Sequence, residues 1–213
     1  MVDRAGVVRS APALAWKDID LRGRLERALG DTGFPVGVDS GVMLAALAEH
    51  RYGSHAGTSN MVYLPDHAGA GVGVVNGGVA LRSGRPATVS GLSTLLLRTR
   101  FEAADGLAAE RHLEVADLVR RARAGDQRVL AALGEFGAWL GNTVGILVNL
   151  FDPQTVLLGG YHAALAPWTL PAIERTARSI AATPEHARVR LAVSALGHEA
   201  AALGGAATAL NRR

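Results

Sequence analysis

"GDQRVLAALGEFGAWLGNTVGILVNLFDPQTVLLGG", residues 125–160, decides the fold. Gly125 is a stop for whatever precedes it, and Asp126 offers a side-chain oxygen to the first amides of a helix. Val129, Leu133, Phe136, Leu140, Val144 and Leu147 then recur three or four residues apart, which predicts one long helix to about Leu150 with those six facing inward. Asp152-Pro153 marks a turn. "TVLLGG", 155–160, follows as a buried strand running into two glycines.

Downstream, "WTLPAIERTARSIAAT", 168–183, reads as a helix with Pro171 near its start. "RVRLAVSAL", 188–196, reads as a strand. "EAAALGGAATAL", 199–210, reads as a small-residue helix. Gly204 and Gly205 cost that helix stability, so another element should cross it closely there. Alternating helices and strands argue for a layered α/β fold.

Upstream, "HLEVADLVRRARAGD", 112–126, is a helix, and "LRGRLERALG", 21–30, is another with Gly30 as its stop. "FPVGVDS", 34–40, is extended. Asp39 or Ser40 caps a helix over 42–52 that Gly53 ends. "NMVYL", 60–64, is a buried strand. In "GAGVGVVNGG", 69–78, glycines at 69, 71 and 73 could close backbone N–H groups on a phosphate. Asn76-Gly77 between apolar runs signals a hairpin turn in any case. Residues 1–20 read as irregular, and 85–110 fit helix or strand equally.

The chain has 213 residues, 22 Lys and Arg against 19 Asp and Glu, and a formal net charge of +3. The arginines at 120, 121 and 123 and at 212 and 213 read as solvated faces, since no nucleic-acid-binding pattern accompanies them. Without cysteine, disulfides and thiolate zinc sites are excluded. His50 and His55, or His198 beside Glu199, lack metal-ligand spacing and read as structural or surface groups. No apolar run reaches the ~18 residues of a membrane span, and the N-terminus has no signal-peptide core. The expectation is a cytoplasmic chain with no membrane contact.

Four segments together resemble the ROK family of bacterial sugar kinases and sugar-responsive repressors. They are "VDRAGVVRSAPALAWKDIDL" (2–21), "PVGVDSGVMLAALAEHRYG" (35–53), "GAGVGVVNGG" (69–78), and the pair formed by 122–160 with "SALGHEAAALGGAATA" (194–209). The resemblance implies an actin-like ATPase (ribonuclease H-like) fold of two α/β lobes. Here it would be mostly the C-terminal lobe, 58–213, with a remnant of the N-terminal lobe over 1–57. It further implies that the sugar lies in the cleft, with phosphates against the hairpin glycines Gly69, Gly71 and Gly73. The adenosine side would lie near Gly159 and Gly160.

The departures from the family pattern set the functional expectation. The first phosphate turn, with its Asp, and about a hundred residues of the first lobe have no counterpart. The family's Glu-Asn-Asp sugar motif falls on Asp39, Ser40 and Gly41 in the register fixed by "LAALAE", 44–49. Its last residue is the general base of the kinases, and glycine offers no acceptor; base assistance is typically worth about 10²–10⁴ in rate. The Glu and His that hold sugar hydroxyls, and the zinc-loop cysteines, are missing around "ATVSGLSTLLL", 87–97. The resemblance therefore implies a non-catalytic member: the sugar-effector-binding and dimerisation part of a transcriptional regulator without its DNA-binding domain. Asp39 and Ser40 would face a small sugar. The chain would form a homo-oligomer, make no direct DNA contact and hold no cofactor or metal. Two alternatives stand beside it. One is an ATP- and magnesium-dependent, glucokinase-like sugar kinase with Asp39 as substitute base; the other is a truncated fragment without a ligand.

Overall fold

The computed structural model describes residues 2–3, 5–11, 14–31, 33–65, 71–81 and 115–211. Its centre is a five-stranded mixed sheet. Strands β3 (Met61–Leu64), β6 (Thr155–Leu158) and β7 (Arg190–Val193) run parallel; β4 (Gly73–Asn76) and β5 (Val79–Ala80) add on antiparallel, giving the order β5-β4-β3-β6-β7. β3 and β6 are buried along their whole length, as continuous apolar strands covered on both faces must be.

Alternation along these strands makes two cores. Val62, Leu64, Val74, Val156 and Leu158 face one side. There they meet helices α3 (Val115–Arg123), α4 (Gln127–Phe151) and α5 (Tyr161–Ser179). All six residues expected on the inner side of α4 are buried. Met61, Tyr63, Val75 and Leu157 face the other side, against α2 (Gly41–Tyr52) and α6 (Ala200–Leu210). The helix α4 is long and apolar enough by length and composition to cross a membrane, but more than half of that stretch is buried here as the core helix of the first face.

Two close helix crossings depend on glycine. On α4, Gly137, Gly141 and Gly145 form a ridge against α5. A Cβ at Gly137 would sit 2.7 Å from the Thr169 carbonyl oxygen, and one at Gly141 would sit 2.7 Å from that of Ile173. On the other face, a Cβ at Gly204 of α6 would strike the backbone carbonyl of Leu44 in α2, so α2 is the element that crosses the final helix.

Three expectations need correction. Residues 1–20 are not irregular: β1 (Val7–Ala11) and β2 (Trp16–Asp20) pair antiparallel and lead into α1 (Leu21–Leu29), and Arg9 bridges Asp3 and Asp18 across the pair. Their exposed, mixed polarity hid the strand pattern. The hairpin turn is Gly77-Gly78, with φ of +58° and +76°, while Asn76 pairs with Val79 in the ladder. Two adjacent glycines take both left-handed positions more cheaply than Asn-Gly does. Finally, α5 starts at Tyr161, before Trp168, and holds Pro167 and Pro171 inside it. Gly160, at φ +56°, makes the entry, and each proline removes one helix hydrogen bond without ending the helix. The region 85–110 lies outside the described residues.

Candidate functional site

Open α/β sheets bind ligands beyond the carboxyl ends of their parallel strands. Here that edge gathers Pro65 after β3, Gly159-Gly160 after β6 and the Ser194–His198 turn after β7. The start of β4 lies there too, because Gly73 pairs with Tyr63 near the end of β3. A crevice of about 300 Å³ opens at this edge, lined by Gly41 and Val42 of α2, Tyr63, Gly160, His198 and Ala200, among others. Among the described residues, none that line it carries a carboxylate.

Three helices begin at or beside this crevice. Their N-cap residues, Ser40 for α2, Gly160 for α5 and Glu199 for α6, make no side-chain capping hydrogen bond. Unpaired amides at helix starts carry partial positive charge and favour polar or anionic groups. The crevice can therefore accept hydroxyl or phosphate oxygens through backbone donors, and the described residues of its lining supply no proton acceptor of carboxylate type.

The sequence motif Asp39-Ser40-Gly41 straddles two spaces. Gly41 faces the small crevice, whereas Asp39 lines a larger cleft of about 600 Å³ between the 33–39 segment and α6. That cleft is mostly apolar, with Phe34, Leu44 and Leu210 beside Thr208. The Asp39 carboxylate accepts the Ser40 N–H at 2.8 Å, and Ser40 stands between the two spaces as the extended N-cap residue of α2.

The glycines of the hairpin fall differently. Gly69 lies outside the described residues. Gly71 is half-buried ahead of β4. Gly73 is buried, and a Cβ there would come within 2.6 Å of the Ala46 Cβ and 2.9 Å of the Val42 carbonyl oxygen, so its bareness serves the seating of α2 on the sheet. Gly159 is covered by the Tyr63 ring and donates its N–H to the Leu64 carbonyl at 2.8 Å. Gly160 is the member of that pair that reaches the crevice. The structure thus places Gly41 and Gly160 in one crevice and Asp39 in the lining of another space. Sequence reasoning missed Tyr63 and His198 as crevice residues. The alternation in "MVYL" puts Tyr63 on the α2 side, and His198 follows the last strand directly; neither signal discloses the crevice without the tertiary fold.

The sequence profile of the ROK family matches residues 1–95 and 87–212. The chain belongs to the ROK family. Its fold is accordingly the actin-like ATPase fold of that family, present here as the mixed sheet with helices on both faces. Among curated ROK relatives, it is 24% identical to the xylose repressor of Bacillus subtilis over 96% of this chain and 57% of that protein. It is 23% identical to the glucokinase of Halalkalibacterium halodurans over 94% of this chain and 70% of that one. The chain thus spans little more than half the length of the repressor. Among solved structures, a ROK glucokinase from Streptomyces griseus in complex with glucose and AMPPNP matches with a TM-score of 0.78 at 22% identity, over 98% of this chain and 78% of that one. A ROK transcriptional regulator, homologous to the Escherichia coli MLC protein, also gives 0.78 at 24% identity, over 95% and 58%. The ROK hexokinase of Thermus thermophilus gives 0.73 at 30% identity, over 100% and 76%. Both repressors and kinases are among these relatives.

Proposed function

We propose that this ROK chain is a non-catalytic, sugar-binding part of a transcriptional regulator, cytoplasmic and homo-oligomeric, working without a metal or nucleotide cofactor. The observation that supports it is Gly41. It stands at the start of α2, at the edge of the small crevice, and among the described residues neither it nor any other lining residue there offers a carboxylate. Phosphoryl transfer to a sugar hydroxyl is chiefly positioning and charge stabilisation, with a base that accepts the hydroxyl proton. A regulator needs the hydroxyl contacts and not the proton transfer. The half-built division of labour at Gly73 and Gly159, both closed by packing, fits that reading as well.

On this reading Asp39 and Ser40 contact the sugar from the larger cleft, while the uncapped helix starts at the crevice hold its oxygens. The division into a partial first lobe, 1–57, and a second lobe, 58–213, belongs to the same proposal. It needs one amendment, because α2 rests on the sheet of the second lobe and packs against α6. A second reading, a sugar kinase, draws on Asp39, the one carboxylate among the described residues of either cleft lining.

One experiment separates the two. The purified chain is titrated calorimetrically with glucose, xylose, mannose and their N-acetyl amines, and is then incubated with labelled ATP, magnesium and the same sugars. The regulator reading expects heat with at least one sugar and no label transferred above background. Transfer that disappears in Asp39→Asn would establish the kinase, and silence across every sugar would favour a chain without a ligand.

A further inference from the structure

We propose that Glu49 is a positioning residue for the small crevice. From the far end of α2, its carboxylate holds the turn after β7 that carries Gly197 and His198 into the crevice wall. The inference rests on reading that crevice as a binding site, but its geometry is independent of which sugar enters.

Glu49 is completely buried. Its Oε1 accepts two hydrogen bonds from the turn, one from the Ser194 hydroxyl and one from the Leu196 N–H at 3.0 Å. The Ser194 Oγ accepts in turn from the Gly197 N–H at 3.2 Å. Gly197 follows in the left-handed region, at φ +54°, and His198 lines the crevice beside Gly160 and Gly41. A chain of two hydrogen bonds thus runs from one buried carboxylate through Ser194 to the residue that turns His198 inward, with Leu196 held beside it.

The choice of residue is costly, which is why it carries information. Oε2 is buried and has no hydrogen-bond partner among the described residues. It lies against Gly53, where any Cβ would collide with it. A buried carboxylate with one oxygen unsatisfied is less favourable than an apolar side chain of the same size. An apolar side chain would fill the space and leave the Ser194 hydroxyl and the Leu196 N–H without an acceptor. The acceptor function is therefore what glutamate supplies here. The same helix carries Gly41 at its other end, so α2 fixes both walls of the crevice, one by its own N-terminus and one through Glu49.

The test is amide hydrogen exchange and the His198 ring signals, followed by NMR in the full chain. Glu49→Ala should speed exchange at Leu196 and Gly197 about tenfold relative to Val156–Leu158 in β6, the scale of one net hydrogen bond, and should shift the His198 ring signals. Glu49→Gln, which keeps an oxygen in place of Oε1, should return both readouts to within about twofold of the parent. Ser194→Ala should speed Gly197 about tenfold while leaving Leu196 unchanged, and it decides the matter if Glu49→Ala does not fold. Gly197 exchange that stays at the parent rate in both Glu49→Ala and Ser194→Ala, or that rises equally throughout β6, would overturn the proposal. A glucose titration of the parent chain, run alongside, tests the sugar reading separately; its silence would leave the turn result standing.

Discussion

At Gly204 the missing side chain is what lets α6 lie across α2. Alanine at that position would gain about 1 kcal/mol of helix propensity. Its Cβ would meet the Leu44 carbonyl, a backbone group that cannot rotate away, and overpacking of that kind costs about 1–3 kcal/mol or more. The neighbouring Gly205 finds only the Leu44 Cδ1, at 3.8 Å. Thermal unfolding should therefore show opposite signs one residue apart: Gly204→Ala lowers the midpoint, and Gly205→Ala raises it by the equivalent of up to about 1 kcal/mol. Equal shifts for the two would contradict the crossing. The pair Gly204-Gly205 was legible in sequence as a close crossing, but its partner was not, because nothing in 199–210 points to α2.

Helix α4 is the element whose start is best defined. Asp126 accepts from the Arg128 N–H at 3.0 Å and from the Val129 N–H, and it pairs with Arg121 at 2.8 Å. The Arg121 hydrogen bond, followed by those backbone amides, holds the Asp126 carboxyl below the ordinary aspartate range. The sign follows from linkage. A carboxylate whose folded pKa is depressed contributes stability that is fully present above its unfolded value, about 3.9, and is lost as pH falls through the lower folded value. Urea midpoints measured from pH 6 to pH 2 should fall less steeply below pH 4 in Asp126→Ala than in the parent, from a lower starting level. The start of α4 and its inner face were both legible, since a cap and a 3.6-residue period are local. Its glycine ridge, 137-141-145, was equally visible at a spacing of four but gained its meaning only when α5 was laid against it.

Across the whole molecule, stability is unevenly shared. The five-stranded sheet is covered on both faces, whereas α1 has no buried residue, and Val8 is the only buried large hydrophobic among the described residues of 2–37. Leu14, Leu29 and Phe34 are each more than half exposed. Segments with few buried apolar contacts open at lower free energy than the core. Hydrogen exchange should find the β1–β2 amides at least on the order of 100-fold less protected than those of β6. Uniform protection would mean that the segment before α2 is held by more than its own hairpin. The two ROK readings, regulator and kinase, also belong to this scale, because both share the fold and differ in what a few side chains at the sheet edge can accept.

The sequence by itself determined the family and the layered α/β fold, along with the inner face of α4 and the buried strands. Those features are local periods, caps and motifs, readable along a single line of residues. Only the tertiary structure decided that Gly41 and Asp39 open onto different spaces, that Gly73 and Gly159 are closed by Ala46 and Tyr63, and that Glu49 reaches the turn after β7. Each of these joins residues far apart in the chain, and such contacts are fixed by how the two helical layers seat on the sheet, which no local pattern encodes.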